Sequence, residues 1–411
     1  MQLGGGGAPA GVVPSTLPQA NSPGVFLITV GPGDEAWEKF GHVMLEIRDP
    51  ALSTHDVAFN WGIFDFGDGI SGQIHFFGNF IQGRLLYSMD GWDTAPQLDL
   101  YQRLDRDICI QELNLSANQR KELWDLCVLN TEPANRFYRY DYYVDNCSTR
   151  VRDKIDQVLG GQINRIATAM PSNLTYRSES SRLMADNPLL ATAVYYILGH
   201  PIDQKLTAWD EMYIPMRMRD HFNQMKIVDE TGHEVPLVKS QTFLHAQHRD
   251  PELDAPPNWL IWFLFLGVAI GGAEAGFAHL ARRDSRSGVW PFAISSVFWT
   301  LLAGFFGWFL LYGWTLTDHW AVRYNENILQ FSPLLLPLVV LIPKTLRGNK
   351  RAAKVARWLA LSAAGLSILG LILKVLPMMY QVNWNIIALS LPANVGLAWS
   401  LWRWNVQKQG Q

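Results

Sequence analysis

The chain has 411 residues, enough for two domains, with 48% hydrophobic and only 17% charged residues, a high apolar share for a wholly soluble protein. The net charge is -3, and with neither a nucleic-acid motif nor a basic face this excludes a polyanionic partner such as nucleic acid. Three cysteines, Cys109, Cys127 and Cys147, cannot all pair with one another. The first sits in the alternating run DICIQELNL and the second in the helical run ANQRKELWDLCVLN, so both read as core residues and disulfide stapling is excluded as a strategy.

In chain order, residues 1–23 hold Gly, Pro and Ala without a basic segment or a continuous apolar run. They are expected to be a flexible or added N-terminus rather than a signal peptide. VFLITVG (25–31) predicts a buried strand and PGDEAWEKF a turn with a short helix. HVMLEIRD, alternating from His42 to Ile47, and DVAFNWGIFDF (56–66) predict two more strands. QIHFFGNFIQGRLLYSMD (73–90) is compatible with a strand pair or with a helix followed by a strand. Residues 105–115 predict a strand, and Ser116 is a natural N-cap for the helix that follows. Glu132, Pro133 and Asn135 end that helix, and YRYDYYVDN leads into a second one through VRDKIDQVL.

Cys147 stands at the start of that second helix, in DYYVDNCSTR, with Asp145 and Asn146 able to cap it. Unpaired N–H groups and a partial positive charge at a helix start favour thiolate and offer donors to an oxyanion, which makes Cys147 the candidate nucleophile. The competing reading is a buried structural cysteine. Further on, PLLATAVYYILG predicts a helix stopped by Gly199 and Pro201, and a hairpin is expected near Asp229–Val238. Residues 239–257, rich in His, Gln, Asp and Pro, read as a linker.

Five apolar segments follow, at roughly 258–280, 289–314, 328–343, 356–380 and 384–402, of which the third and fifth are short for a membrane span. Trp259, Trp262, Trp290, Trp314, Trp358, Trp384 and Trp402 fall at their ends like an interfacial belt. Arg282, Arg283 and Arg286 fill the first loop, and Lys344, Arg347, Lys350, Arg351, Lys354 and Arg357 the third. The excess of positive charge puts those loops and a tail of residues 404–411 in the cytoplasm, and hence the N-terminal domain outside.

A thiol enzyme needs a base and a group to orient it. His42, after the glycine of KFGHV, is the leading base, with Asn60 or Asp56 as orienting group; His55 and His75 are nearby in sequence but lie in a polar turn and among aromatics. A satisfied structural histidine is the alternative for His42. No metal site is expected, because there is no HExxH, no CxxC and no close pair of ligand-spaced histidines. No G-x-S-x-G elbow or phosphate-cradling glycine loop is present either. A second polar cluster, Asp318, His319, Arg323, Asn325 and Asn327, lies in the outward loop TLTDHWAVRYNEN. It reads either as a solvated connection or as a site for a lipid head group, for which Arg323, like Arg150 and Arg152 beside the cysteine, offers a planar fork.

FLITVGPGDEAWEKFGHVMLEIRD, DVAFNWGIFDF, FYRYDYYVDNCSTRVRDKI and LTAWDEMYIPMRM, together with TLTDHWAVRYNEN, resemble the Lnb family of apolipoprotein N-acyltransferases. The resemblance implies an α+β fold: a circularly permuted papain-like, NlpC/P60-like extracytoplasmic domain (24–238), a linker (239–257) and an all-α transmembrane bundle of five helices (258–403). It implies that His42 and Cys147 fall on the FGH and DNC positions of a thiol acyltransferase, leaves Asn60 as the candidate third group, and leaves Asp145, Asn146 and Arg150 as oxyanion or substrate candidates. The implied reaction moves an acyl chain from a membrane phospholipid to a diacylated lipoprotein at the bacterial inner membrane, with no cofactor. A membrane-tethered cysteine peptidase or amidase acting on cell-wall peptide, and a non-catalytic envelope binding module, are the alternatives.

Overall fold

The computed structural model describes residues 23–53, 56–283 and 285–404. The N-terminal stretch to residue 22, His55, the side chain of Arg286 and the tail from 405 onward lie outside the described residues, and so do the expectations that fall on them.

Seven strands form one antiparallel sheet: β1 (Gly24–Val30), β2 (His42–Arg48), β3 (Val57–Ile63), β4 (Leu86–Asp93), β5 (Ile108–Leu113), β6 (Phe137–Arg139) and β7 (Val238–His245), in the order β7-β5-β1-β2-β3-β4-β6. Period-2 alternation in β1 and β2 sorts their side chains onto two faces. Val25, Leu27, Val43, Leu45 and Ile47 pack on one face with helix residues Val151 and Ile155, whereas Phe26, Ile28, Val30 and Met44 pack on the other with Leu98 and Tyr101. The first four helices of this unit are α1 (Gly69–Gln82), α2 (Thr94–Arg103), α3 (Ala117–Thr131) and α4 (Cys147–Val158), and these partners come from α4 and α2. Ser116 caps α3 as expected, accepting from the Gln119 N–H while Gln119 returns a bond to the Ser116 N–H. Residues 73–90 resolve into a helix followed by a strand.

The linker expected at 239–257 is corrected in its first part: residues 238–245 are the edge strand β7, paired with β5. An edge strand has one neighbour and a wet face, so Lys239, Ser240 and Gln241 hide the alternation that would have marked it.

By contacts the chain divides into two compact units, one of residues up to Asp186 plus Lys205–Asp254, the other of Asn187–Gln204 plus Ala255 onward. The helix Pro188–Ile197 therefore belongs to the membrane unit although it interrupts the sequence of the first. The membrane unit contains α5 (Leu260–Arg283), α6 (Ser285–Leu316), α7 (Leu338–Leu346), α8 (Lys350–Ile372) and α9 (Trp384–Arg403). Among the described residues α5, α6 and α8 are long and apolar enough to cross a bilayer, and residues 320–329 with 333–346 make a pair bent by 52° that would count as one further span. The third expected span is thus a broken segment. Helix α9 carries Asn385, Ser390 and Asn394 inside its 20 residues. It packs directly on α5, where a Cβ at Gly267 or Gly271 would meet the Leu389 or Pro392 carbonyl at 2.4 and 2.3 Å, so glycine four residues apart sets the helix separation.

Candidate active site

Local sequence places Cys147 on the first turn of α4. The Asn146 side-chain oxygen accepts from the Thr149 N–H at 2.9 Å and the Thr149 hydroxyl accepts from the Asn146 N–H at 2.8 Å, a closed capping box. Both amide hydrogens of Asn146 are also committed, to the carbonyls of Tyr142 (2.9 Å) and Tyr213 (3.0 Å). Asn146 therefore builds the helix start and has no side-chain donor left for a substrate. Asp145 does not cap; it forms a two-pronged ion pair with Arg150, whose guanidinium also lies 4.2 Å from the Tyr138 ring centre. Arg152 stacks on Trp209 at 3.7 Å and donates to its carbonyl. Both arginines are committed to protein partners rather than presented to a phosphate.

The ladder between β2 and β3 begins only at Leu45↔Phe59, so the first residues of β2 have no ladder partner on that side. There the N–H groups of Val43, Cys147 and Ser148 point at the Cys147 sulfur. These donors favour thiolate, yet burial outweighs them and pushes the Cys147 thiol up to about 11. The expectation of a thiolate favoured by the helix start is thus corrected: in the resting protein the group is a neutral thiol, because desolvation of the charge exceeds what the helix start returns.

His42 is the first residue of β2, entered through Gly41 at φ +75°, where a Cβ would also strike the Val30 carbonyl at 2.7 Å. Its Nε2 lies 2.9 Å from the Asn60 Oδ1, and the same oxygen accepts the Gly62 N–H at 2.8 Å. The Gly62 donor fixes that Asn60 atom as oxygen, so Nε2 carries the imidazole proton and Nδ1 keeps the lone pair. Of the two orienting groups considered, Asn60 is the one in contact with the ring, whereas Asp56 pairs with Arg48. Gly62 is needed here, since a Cβ would come 2.4 Å from the His42 Cε1. Burial and then the nearby Arg106 charge lower the His42 pKa to about 3. Among the described residues no hydrogen bond joins the imidazole to the thiol directly; the two are linked through the peptide N–H of Val43, the residue that follows His42.

Arg106 went unnoticed in the sequence, where it is one of several charges in RLDRD. It is 2% exposed, donates to the Gly31 carbonyl (2.8 Å) and pairs with Glu38 (3.2 Å), and its Nη2 has no hydrogen-bond partner among the described residues. Its charge acts on both His42 and Cys147. On the other side Phe76 of α1 packs on Phe64, Phe64 stacks on Tyr87 at 4.9 Å and Tyr87 on Tyr140 at 4.0 Å; Tyr87 and Tyr140 are within electrostatic reach of the sulfur. His75 is exposed and bonded to Asn79.

The second expected cluster divides between exposed and buried residues. Asp318 and Arg323 are exposed and His319 is half-buried, but Asn325 and Asn327 are 1% and 0% exposed. The Asn325 amide donates to the carbonyls of Tyr196 (3.1 Å) and Ile197 (2.7 Å), and the Asn327 amide to Tyr196 (2.9 Å). Gln381 extends the latch to the Leu198 carbonyl (3.0 Å) and takes the Glu326 N–H (2.7 Å). Lys374 closes it on Glu326. The paired asparagines hold the end of the helix Pro188–Ile197 inside the membrane unit, satisfying carbonyls that a helix C-terminus leaves open.

The profile of the Lnb N-terminal periplasmic domain matches residues 18–181, and that of the Lnb transmembrane domain matches residues 277–403. The chain belongs to the Lnb family. It is a membrane protein with a periplasmic domain, an α+β unit followed by a helical region, as its sequence indicated. No curated protein and no solved structure matches it.

Proposed function

We propose that this protein is a multi-pass enzyme of the bacterial inner membrane that moves an acyl chain from a phospholipid, through a thioester on Cys147, to the α-amine of a diacylglyceryl-cysteine lipoprotein. The observation that carries the reading is the pairing of a helix-start thiol, with N–H groups aimed at its sulfur, and a histidine whose tautomer is set with a bare Nδ1. A thiol of pKa about 11 is ionised in only about one molecule in ten thousand at neutral pH, so unaided ionisation costs about 5 kcal/mol. His42 therefore acts as a general base that takes the proton only as the carbon–sulfur bond forms and the charge moves onto the carbonyl oxygen, where N–H donors can hold it.

The thiol proton passes to the His42 Nδ1 while sulfur adds to the ester carbonyl, and the N–H groups of the α4 start and of Val43 receive the oxyanion. The carbon–oxygen bond breaks, the imidazolium proton goes to the leaving alkoxide, and a lysophospholipid departs. The lipoprotein amine then adds to the thioester, gives its proton to His42, and the carbon–sulfur bond breaks to restore the thiol.

A lipid substrate, rather than cell-wall peptide, is supported by α1. Ile70, Ile74, Phe77 and Ile81, spaced as one helical stripe, are 78%, 68%, 54% and 46% exposed, an apolar face that water disfavours and acyl chains or a bilayer surface would cover. The inner side of the same helix begins the aromatic run that ends beside the sulfur. Incubating the detergent-purified protein with phospholipid plus diacylated lipopeptide, and separately with peptidoglycan fragments, tests the assignment: turnover of the first supports it, and turnover of the second alone overturns it.

A further inference from the structure

Away from the thiol, the turn after α2 and the segment after β7 bring three ligand-type side chains together. The Asp105 Oδ1 lies 3.0 Å from the His245 Nε2 and 2.9 Å from the His248 Nδ1, and one ligand atom from each residue fits within a 4.8 Å span. His245 and His248 are three residues apart, so the expectation that the sequence holds no close histidine pair is corrected; the first closes a strand and the second lies in the irregular segment after it, which gave the spacing no helical or finger-like context.

We propose that Asp105, His245 and His248 form a binding site for a divalent transition-metal ion of the zinc class, with water as the fourth ligand. Two imidazole nitrogens and one carboxylate oxygen are the donor set that suits zinc and disfavours calcium or magnesium. Tetrahedral bonds of about 2.0–2.1 Å separate ligand atoms by roughly 3.3 Å, so each Asp105–histidine separation needs to open by only a few tenths of an ångström, and the two histidine nitrogens already lie within 4.8 Å of each other. His248 is 84% exposed and free to make that adjustment, and its side leaves an entry path and room for water.

The two segments are already docked by other bonds. The Gln247 N–H donates to Asp107 (2.8 Å), the His248 N–H to the second Asp105 oxygen (3.1 Å), and Arg249 clasps Asp34 (2.7 Å) and the Leu104 carbonyl (2.9 Å). Asp105 holds a left-handed backbone, φ +49°, that turns its carboxylate toward the histidines. Ligands held in place before the ion arrives lose little freedom on binding it. The ion would staple the end of the sheet to the turn that carries Arg106.

The test is titration of untagged, chelator-treated full-length protein with zinc chloride, followed by calorimetry and by thermal melting. One saturable equivalent, a raised melting temperature, and at least tenfold weaker binding in both His248→Ala and Asp105→Asn are expected. Because His248 is exposed, its alanine variant should melt like the parent without zinc, which separates loss of ligand from loss of fold. No saturable binding by the parent, or unchanged affinity in the two variants, overturns the proposal.

Discussion

Selected buried polar side chains of the two units show two contrasting uses. In the membrane unit Asn325, Asn327 and Gln381 spend their amides on backbone carbonyls, and Asn394 spends its own on the Gln330 carbonyl and the Ser367 hydroxyl. In the periplasmic unit the thiol of Cys147, the Nδ1 of His42 and the Nη2 of Arg106 are held in place by neighbours that leave their reactive or donor atoms uncommitted. A satisfied buried group stabilises; an unspent one, positioned by others that are satisfied, is available for chemistry. Asn60 and Asn325 are both buried asparagines near a sequence motif, yet one holds an imidazole and the other a helix end.

That contrast is broken or sharpened most strongly at the base. His42→Ala should lower kcat/KM for acyl transfer by about a thousandfold, within the range for losing a general base, with little change in KM; a loss under tenfold would place His42 among the structural residues. Asn60→Leu should cost about ten- to a hundredfold through loss of the set tautomer, while Asn60→Asp keeps an acceptor and recovers part of it. In the membrane unit Asn325→Leu strips the Ile197 carbonyl of its donor and takes the acceptor from the Asn327 N–H and the Gln381 amide, a cost of about 2–3 kcal/mol. It should lower the melting temperature in detergent while leaving modification of Cys147 by a small alkylating agent unchanged. Stability that stays constant would mean that the latch is incidental.

Smaller effects follow from α1 and from pH. Replacing Phe77 and Ile74 by serine should reduce turnover of long-chain phospholipid about tenfold or less and leave a short-chain soluble ester unaffected, as binding confined to the tail requires. His42 has a folded pKa near 3 against 6.5 for an exposed imidazole. The base therefore keeps its lone pair through pH 5, and the acid limb of kcat/KM should fall well below 6.5. The same shift makes the neutral imidazole a source of stability that is complete above about pH 6.5 and lost as pH falls toward 3, so His42→Gln should flatten acid unfolding over that window.

Much of this was legible in the sequence because it rests on local signals. A short apolar run marked β1, alternation marked β2, a strand-like run marked β3, Ser116 marked a cap, and the glycine before His42 and the Asp–Asn pair before Cys147 marked a turn and a helix start. What was hidden depends on partners distant in sequence. The helix start promised a thiolate, but burial of the side chain in the core decides the protonation state. Arg106 reads as a surface charge until Gly31 and Glu38 close around it. Asn325 and Asn327 read as loop polarity because sequence does not distinguish an amide facing water from one facing the carbonyls of residues 196 and 197. The edge strand β7 was lost because its exposed face resembles a linker.

The central claim is that Cys147 carries the acyl chain. Incubating the purified protein with phospholipid alone, quenching in acid and analysing the peptide containing Cys147 by mass spectrometry tests it most directly. The account predicts one acyl chain on that peptide, released by hydroxylamine, lost on adding a diacylated lipopeptide, and absent in Cys147→Ala. Acyl transfer that proceeds at the parent's rate in Cys147→Ala, or a turning-over enzyme whose Cys147 is never acylated, would contradict it.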